Sequence, residues 1–267
     1  MFLETVDQFA TAAIAKAGFL RRSPLGFWLS AMMAGAYVGL GIILIFCVGA
    51  NVDPSVRPVV MGASFGIALT LVIFAGSDLF TGHTMFMTLG WLRGRTSLLD
   101  LGACWGASWA GNLAGCVFLA AIFVAGGGGV ALAGKSPLII NVAAAKMNAP
   151  ALELVARAML CNWLVCLAIW TSARMTNDTA KCIAIFWCLY AFIASGFEHS
   201  VANMTLLSIA LLAEHPPTVT LGGLAWNLLW VTIGNAISGA GIMGLGYWAA
   251  SRVSPAAEPA RQLAAAE

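Results

Sequence analysis

The sequence predicts an all-α membrane protein with six transmembrane helices, built as an inverted repeat in which spans two and five are broken. Two observations carry this prediction. Of the 267 residues, 61% are hydrophobic and only 9% are charged, whereas a soluble domain carries roughly 25% charged residues. The chain also contains six long apolar segments, and two of them have polar residues at matching places. Lipid must therefore replace water around most of the chain.

A helix needs about 20 apolar residues to cross a bilayer, and six segments meet that test. They are residues 24–50, 58–91, 98–126, 151–173, 182–213 and 221–250. Together they predict a pore domain over residues 24–250, and residues 251–267 are predicted to form a tail. Residues 1–23 are too charged for a signal peptide. Their apolar residues recur at helical spacing, which predicts an amphipathic helix on the membrane surface.

The distribution of Lys and Arg sets the predicted orientation, because loops on the inner side of a membrane carry an excess of these residues. With both termini inside, the inner face holds Lys16, Arg21, Arg22, Arg93, Arg95, Arg174, Lys181, Arg252 and Arg261. The outer face then holds Arg57, Lys135 and Lys146, with Arg157 at the start of span four. We therefore predict a multi-pass protein of a bacterial inner membrane with cytoplasmic termini.

Spans two and five contain polar segments, Ser77–His83 and Ser195–Ser200. Spans three and six carry a matching Gly-Asn pair, Gly111-Asn112 and Gly234-Asn235. Each half has three spans. Because three is an odd number, the second half must enter the membrane from the side opposite to the first. Matching broken helices in inverted halves indicate a transport site, since irregular backbone must line a cavity or be buried in protein.

The polar residues at the breaks receive different predicted roles. Asp78 and Glu198 are predicted to be structural, because a carboxylate lining an anion path would repel its substrate. His199 is predicted to be functional, since an imidazole can accept or donate a proton near neutral pH. Thr81 adds a hydroxyl, and the N-termini of half-helices favour anions. These residues predict a site for a small monovalent anion, with His83 as a possible residue of the pore mouth.

Two familiar motifs are present but lie in the wrong context. Residues 129–136 match a P-loop, which requires a preceding strand in an α/β domain. Ser64 lies in a Gly-x-Ser-x-Gly pattern, which requires a strand-to-helix turn; an intramembrane serine hydrolase is the alternative from another class. We predict no enzyme, no cofactor, no metal and no nucleic-acid partner. The seven cysteines form no Cys-x-x-Cys pair and are predicted to be buried thiols.

The sequence resembles the formate/nitrite transporter family over nearly its whole length. The matching residues include the Asp78–Gly82 break, Lys146, Cys161-Asn162-Trp163, the string from Gly196 to Met204, and Gly234-Asn235. The variant at His83 resembles the bacterial nitrite branch. The resemblance implies an aquaporin-like protomer, without an Asn-Pro-Ala box, in a homopentamer where each protomer has its own pore.

The resemblance also implies roles for individual residues. It places His199 and Thr81 at the centre of the pore, Lys146 in the outer loop and Asn162 near the pore. Constrictions are implied on the cytoplasmic side at Leu69 and Phe192, and on the periplasmic side at Leu79, Phe80, Val165 and Phe197. Asn112 and Asn235 are predicted to be structural polar residues, like Asp78 and Glu198.

The expected substrate is nitrite, which crosses either as the anion or as its neutral acid after proton transfer through His199. Formate and hydrosulfide are the alternatives within the family. A channel for a neutral solute such as water or glycerol is the alternative outside it. Both nitrite and formate are small, planar and singly charged, so the sequence leaves the choice between them open.

Overall fold

The computed structural model describes residues 2–134 and 137–252. Lys135 and Ser136, which end the P-loop match, lie outside the described residues, as does most of the predicted 251–267 tail. The described chain consists of helices and connecting turns. The helices are α1 (Leu3–Arg22), α2 (Pro24–Ala50), α3 (Arg57–Ser64), α4 (Gly66–Leu71), α5 (Phe80–Leu92), α6 (Leu98–Ala125), α7 (Leu138–Met147), α8 (Ala151–Ala173), α9 (Asp178–Ala194), α10 (Ser200–Leu212), α11 (Leu221–Ala236) and α12 (Gly246–Ser251).

Five helical stretches among the described residues are long and apolar enough to cross a membrane. They are Pro24–Ala50, Arg57–Gly76, Leu98–Ala125, Ala151–Ala173 and Leu221–Ser251. The second stretch ends in π-helical turns at Val72–Gly76, and the fifth contains π-helical turns at Ile237–Leu245. The remaining predicted span, 182–213, is divided into α9 and α10, and each of these is shorter than a full crossing.

Both predicted interruptions are present in the structure. One lies between Gly76 and Phe80, and the other lies between Ala194 and Ser200. Gly76 (φ 77°) and Gly196 (φ 70°) adopt left-handed backbone, a conformation that glycine reaches without steric cost. At the second break, the amide of Phe197 bonds the carbonyl of Phe192 at 3.0 Å, as in a Schellman motif. The half-helices therefore end in defined turns.

Close backbone crossings join α2 to α6 and α8 to α11. A Cβ atom at Gly35 would lie 2.2 Å from the carbonyl oxygen of Asn112, and one at Gly115 would lie 1.9 Å from that of Met32. At Gly234 it would lie 2.5 Å from the carbonyl oxygen of Val155. Only glycine permits these approaches, which bring α6 and α11 against the helix that begins each half.

The apolar face of α1 contacts protein, and the position of this helix at the membrane surface stays a prediction. Val6 and Ala13 are fully buried, and Phe9 stacks on Phe86 of α5 and Trp170 of α8. The side chain of Asp7 also pairs with Arg93, at 2.8 Å. The helical spacing was read correctly, but it does not distinguish a lipid surface from a protein surface.

Candidate functional site

One asparagine from each half holds one break in place. Asn112 accepts a hydrogen bond from the amide of Phe80 at 2.9 Å and donates to the carbonyls of Ala31 and Asp78, at 2.7 and 2.9 Å. The first residue of α5 thereby gains an acceptor that its own helix cannot supply.

Asn235 makes the same three bonds in the second half. It accepts from the amide of Ser200 at 2.9 Å and donates to the carbonyls of Ala158 and Glu198, at 2.8 and 3.1 Å. Both asparagines are fully buried. Each side chain therefore bonds two backbone groups of its break and one carbonyl of the first helix of the same half, a geometry that fits the structural role predicted for Asn112 and Asn235.

Each break also carries a carboxylate paired with a lysine from a neighbouring helix. Asp78 lies 2.6 Å from Nζ of Lys16 and accepts a hydrogen bond from Ser30 at 2.6 Å. Glu198 lies 2.7 Å from Nζ of Lys146 and accepts from Asn203 at 2.6 Å. The two carboxylates are nearly fully buried, so each charge has the partner that burial requires.

Thr81 and His199 meet between the two breaks. Nε2 of His199 lies 3.1 Å from Oγ1 of Thr81, and the two side chains are 4% and 0% exposed. The ring of Phe192 stacks on the imidazole, with 6.0 Å between the ring centroids. The structure therefore brings the two predicted pathway residues together in a buried, mostly apolar place.

The hydrogen bonds of His199 fix its neutral tautomer. The residue precedes α10, and its Nδ1 accepts a hydrogen bond from the amide of Ala202 at 3.1 Å. Since Nδ1 is an acceptor, the proton of a neutral imidazole lies on Nε2 and is donated to Thr81. The hydroxyl hydrogen of Thr81 is then free to bind an anion. A doubly protonated ring cannot keep the bond from Ala202.

Asn162 links the backbone and side chains next to the Thr81–His199 pair by hydrogen bonds. Its amide nitrogen donates to Oγ1 of Thr84 at 3.0 Å and to the carbonyl of Asn235 at 2.7 Å, with a longer contact of 3.4 Å to the carbonyl of Thr81. The hydroxyl of Thr84 donates to that same carbonyl of Thr81 at 2.6 Å. Asn162 is predicted to lie near the pore, and in the structure its amide ties α8 to the start of α5 and to α11.

Two cavities approach the Thr81–His199 pair. The first, which we call the Lys16 cavity, has a volume of about 340 Å³ and is lined by residues that include Lys16, Leu79 and His83. The second, the Lys146 cavity, measures about 130 Å³ and its lining includes Lys146, Phe197 and His199. Between them lies a gap of only about 10 Å³, lined by Val38, Phe65, Ala68, Leu69, Leu79, Val165, Leu189, Phe192 and His199.

Two of the predicted constriction residues line both the narrow gap and one of the cavities. Phe192 lines the gap and the Lys146 cavity, and Leu79 lines the gap and the Lys16 cavity. The sides of the membrane assigned to these constrictions stay predictions.

The remaining predicted constriction residues lie at or near this path. Leu69 and Val165 line the narrow gap, and Phe197 lines the Lys146 cavity. Phe80 is buried with its ring against Trp105, 6.2 Å between centroids.

Sequence reasoning missed several residues of the site. Phe65 faces Phe192 edge-on at 5.4 Å between centroids, and Asn203 continues the Glu198 cluster by donating to Asn227 at 2.9 Å. The sequence did carry one signal for Asn203. Like His83 after Asp78, Asn203 follows its carboxylate by five residues, and each of the two bonds to that carboxylate.

The two rejected motifs lie in helical surroundings. Ser64 ends α3, and its hydroxyl donates to the carbonyl of Val60 at 2.8 Å, a bond within its own helix rather than to a base. Within the P-loop match, Gly129–Leu132 form a 3₁₀ turn that follows α6. Neither place has the strand that its motif needs.

The fold and the site define a class: a helical multi-pass membrane protein in which two broken helices hold a buried polar pair between two cavities. A family model described as formate/nitrite transporter matches residues 3–249. The chain is 55% identical to the nitrite transporter NirC of Salmonella typhimurium, over 98% of this chain and 96% of that protein. The chain therefore belongs to the formate/nitrite transporter family, whose members are transporters and channels rather than enzymes.

Solved structures agree with this assignment. A structure titled an ion channel of this family matches with a TM-score of 0.91 and 55% identity, over 93% of this chain and 99% of that one. A pentameric formate channel with formate bound matches with a TM-score of 0.71, over 86% of this chain and 98% of that one. At 24% identity, the second match supports the fold alone.

Proposed function

We propose that the chain conducts nitrite across a bacterial inner membrane, with both termini in the cytoplasm. The single observation that carries the proposal is the buried Thr81–His199 pair between two cavities, each of which contains a lysine. The 55% identity to a nitrite transporter over nearly the whole chain favours this substrate.

The proposed architecture has six crossings related as an inverted, aquaporin-like repeat. The matching bonds of Asn112 and Asn235 support it, because each joins its break to the first helix of the same half. In this arrangement residues 1–23 lie on the inner side, and residues 24–250 form the pore. The proposal includes the homopentamer that the family resemblance implies, with the lipid bilayer around it.

The path begins at the Lys146 cavity, on the outer side. An ammonium group has three N–H donors, so the bond of Lys146 to Glu198 still permits contact with an anion. Glu198 offsets the charge of Lys146, which keeps the anion from being held too tightly. The anion then exchanges part of its hydration shell for the hydroxyl of Thr81 and the N–H of His199.

Apolar side chains close both sides of the pair, chiefly Phe65, Phe192, Leu69 and Leu79. An unpaired charge is costly among such groups, so this wall opposes a hydrated ion. A proton from water that binds Nδ1 of His199, which breaks the bond from Ala202, would let Nε2 give its own proton to the anion, and the substrate would then leave as its neutral acid. Without that step, the same site conducts the anion.

A flux measurement in liposomes tests the proposal. Nitrite uptake by the wild-type protein is compared with that of His199→Ala, and His215→Ala is the matched control. His215 lies in an exposed loop, where it contacts the carbonyl of Ala213. We expect nitrite flux in the wild type and in His215→Ala, and a changed pH profile in His199→Ala. Wild-type flux in His199→Ala across the pH range contradicts the role of His199.

Formate is the second candidate substrate, because the family model that matches the chain is described as formate/nitrite transporter. Competition separates the candidates. Excess formate should slow nitrite uptake less than an equal excess of unlabelled nitrite does, and equal inhibition would mean that the site does not distinguish them. A neutral-solute channel would conduct without regard to either anion.

A further inference from the structure

We infer that His83 is a second proton-accepting group, which takes a proton from the neutral weak acid on the Lys16 side of the pore. The inference rests on the proposed function and adds a chemical role for the Lys16 cavity. It begins from a difference between the two halves: Asp78 is followed five residues later by His83, whereas Glu198 is followed at the same distance by Asn203.

In the second half this position is an amide in a closed chain of hydrogen bonds. Asn203 donates to Glu198 at 2.6 Å and to Asn227 at 2.9 Å, and Asn227 donates to the carbonyl of Lys146 at 3.0 Å. An amide does not titrate near neutral pH. This half therefore holds its carboxylate with groups that have a fixed protonation state.

In the first half the corresponding chain of hydrogen bonds ends at His83. Nε2 of His83 lies 3.1 Å from Oδ1 of Asp78, and a carboxylate can only accept, so the proton of the neutral ring lies on Nε2. Nδ1 is then a lone-pair acceptor. It is buried and has no hydrogen-bond partner within the described part of the chain, an arrangement that native proteins seldom leave without a reason.

The surroundings of His83 favour a proton acceptor. The residue is 1% exposed and lines the Lys16 cavity of about 340 Å³, which is far larger than a nitrite ion. Asp78 and Lys16 are the charged groups beside it, and Lys181 lines the same cavity. Its other neighbours, Phe27, Phe86 and Trp105, are uncharged.

The proposed step conserves atoms and charge. Nδ1 of His83 is buried in this structure, so the step requires the Lys16 cavity to open as far as this atom. A neutral weak acid there then gives its O–H proton to Nδ1, the O–H bond breaks, and an N–H bond forms. The anion remains in the cavity, and the imidazolium is stabilised by Asp78 through the existing Nε2–H bond. Water in the cavity later removes the proton, which returns His83 to its neutral form.

Substitution of His83 by Asn provides a sharp test, because it copies the arrangement at Asn203. The amide keeps a donor for Asp78 but does not titrate. Nitrite uptake is measured in right-side-out and inside-out membrane vesicles, with the pH on the Lys16 side lowered in steps from neutral. Both proteins experience the same gradients, so the ratio of wild-type to His83→Asn flux isolates His83.

We expect this ratio to fall at least about threefold as the pH on the Lys16 side decreases, because a protonated His83 cannot accept. Acidifying the opposite side should leave the ratio unchanged. A ratio that is constant on both sides overturns the inference while leaving nitrite conduction intact. Absence of wild-type nitrite flux would instead overturn the proposed function. Should His83→Asn fail to fold, His83→Gln serves the same comparison.

A spectroscopic measurement gives a second readout. The chain has three histidines, so ¹⁵N-histidine labelling yields a simple spectrum in which the His83→Asn variant assigns one pair of signals. We expect the Nδ1 signal of His83 to move from an unprotonated to a protonated position as the pH is lowered, and to do so at a higher pH when nitrite is present. A signal that does not respond to nitrite or to pH contradicts the inference.

Discussion

The two broken helices are held by the same kinds of contact, but they place different side chains at the centre of the site. In both, an asparagine holds the break, and a lysine neutralises a buried carboxylate. The residue just before the second half-helix differs, since it is Leu79 in the first half and His199 in the second. Equivalent positions thus supply an apolar wall on one side and the polar site on the other. The repeat positions the backbone, and single substitutions within it create the site.

The largest expected effect concerns Asn112 and Asn235, which hold the two breaks in the same way. Asn112→Ala and Asn235→Ala each leave two buried backbone groups of a break, one amide and one carbonyl, without the side chain that bonds them, and each such group costs about 1–3 kcal/mol. We expect both variants to lower the free energy of unfolding by at least about 2 kcal/mol, measured by denaturation in detergent micelles.

The two losses should also be similar, because the two sets of bonds match. Asn51→Ala is the control, since Asn51 is exposed and makes only a long contact of 3.4 Å to the carbonyl of Cys47. A large loss of unfolding free energy in one variant, with a negligible loss in the other, would contradict the structural equivalence of the two halves.

A second substitution tests the close packing of Gly239 against Thr84 and Asn162, which both bond to the carbonyl of Thr81. A Cβ atom at Gly239 would lie 1.9 Å from Oγ1 of Thr84 and 2.8 Å from the amide nitrogen of Asn162. We expect Gly239→Ala to destabilise the protein by about 1–3 kcal/mol through overpacking and to reduce nitrite flux. Thermal unfolding and liposome uptake provide the two measurements.

Gly241 lies two residues further along the same π-helical turns and is the matched control, because a Cβ atom there would meet nothing within 4 Å. Gly241→Ala should therefore leave stability and flux close to the wild type. Adding Thr84→Ala to Gly239→Ala should restore part of the loss, since the clashing hydroxyl is gone. Equal effects at the two glycines would show that the clash is not the cause.

The smallest expected effect concerns the two lysines. Lys16 and Lys146 are 30% and 19% exposed, so water screens part of each pair. We expect Lys16→Met and Lys146→Met to cost about 1–2 kcal/mol each, with the larger cost at the more buried Lys146. Lys181→Met is the control, because its partner Asp178 is 72% exposed. A cost at Lys181 equal to that at Lys146 would contradict the importance of burial.

Much of the fold was predictable because lipid imposes a strict pattern on sequence. Apolar length located the spans, and polar residues such as Asp78 and Glu198 in apolar surroundings located the breaks. His199 and Thr81 were identified before their contact was seen, partly from the family resemblance. A buried polar pair stands out in a sequence where few positions are polar.

The sequence does not predict those features of the site that depend on residues brought together only by folding. The partner of Asp78 is Lys16, which lies in α1 more than sixty residues earlier, and hydropathy alone does not show that α1 contacts protein. The cavities that Leu79 and Phe192 line depend on where each half-helix ends, and an apolar run does not mark that point. The tautomer of His199 depends on the bond from Ala202, which exists only in the folded chain.

The most direct test of the Thr81–His199 site replaces His199 by Asn. Asparagine can still cap α10, but it cannot carry a proton. Electrical current and proton uptake are recorded together in one reconstituted membrane with nitrite. We expect the variant to fold and to conduct the anion, with proton uptake falling to the level of protein-free liposomes. Proton uptake that continues in wild-type proportion to nitrite would contradict the role of His199 as the proton-transferring group.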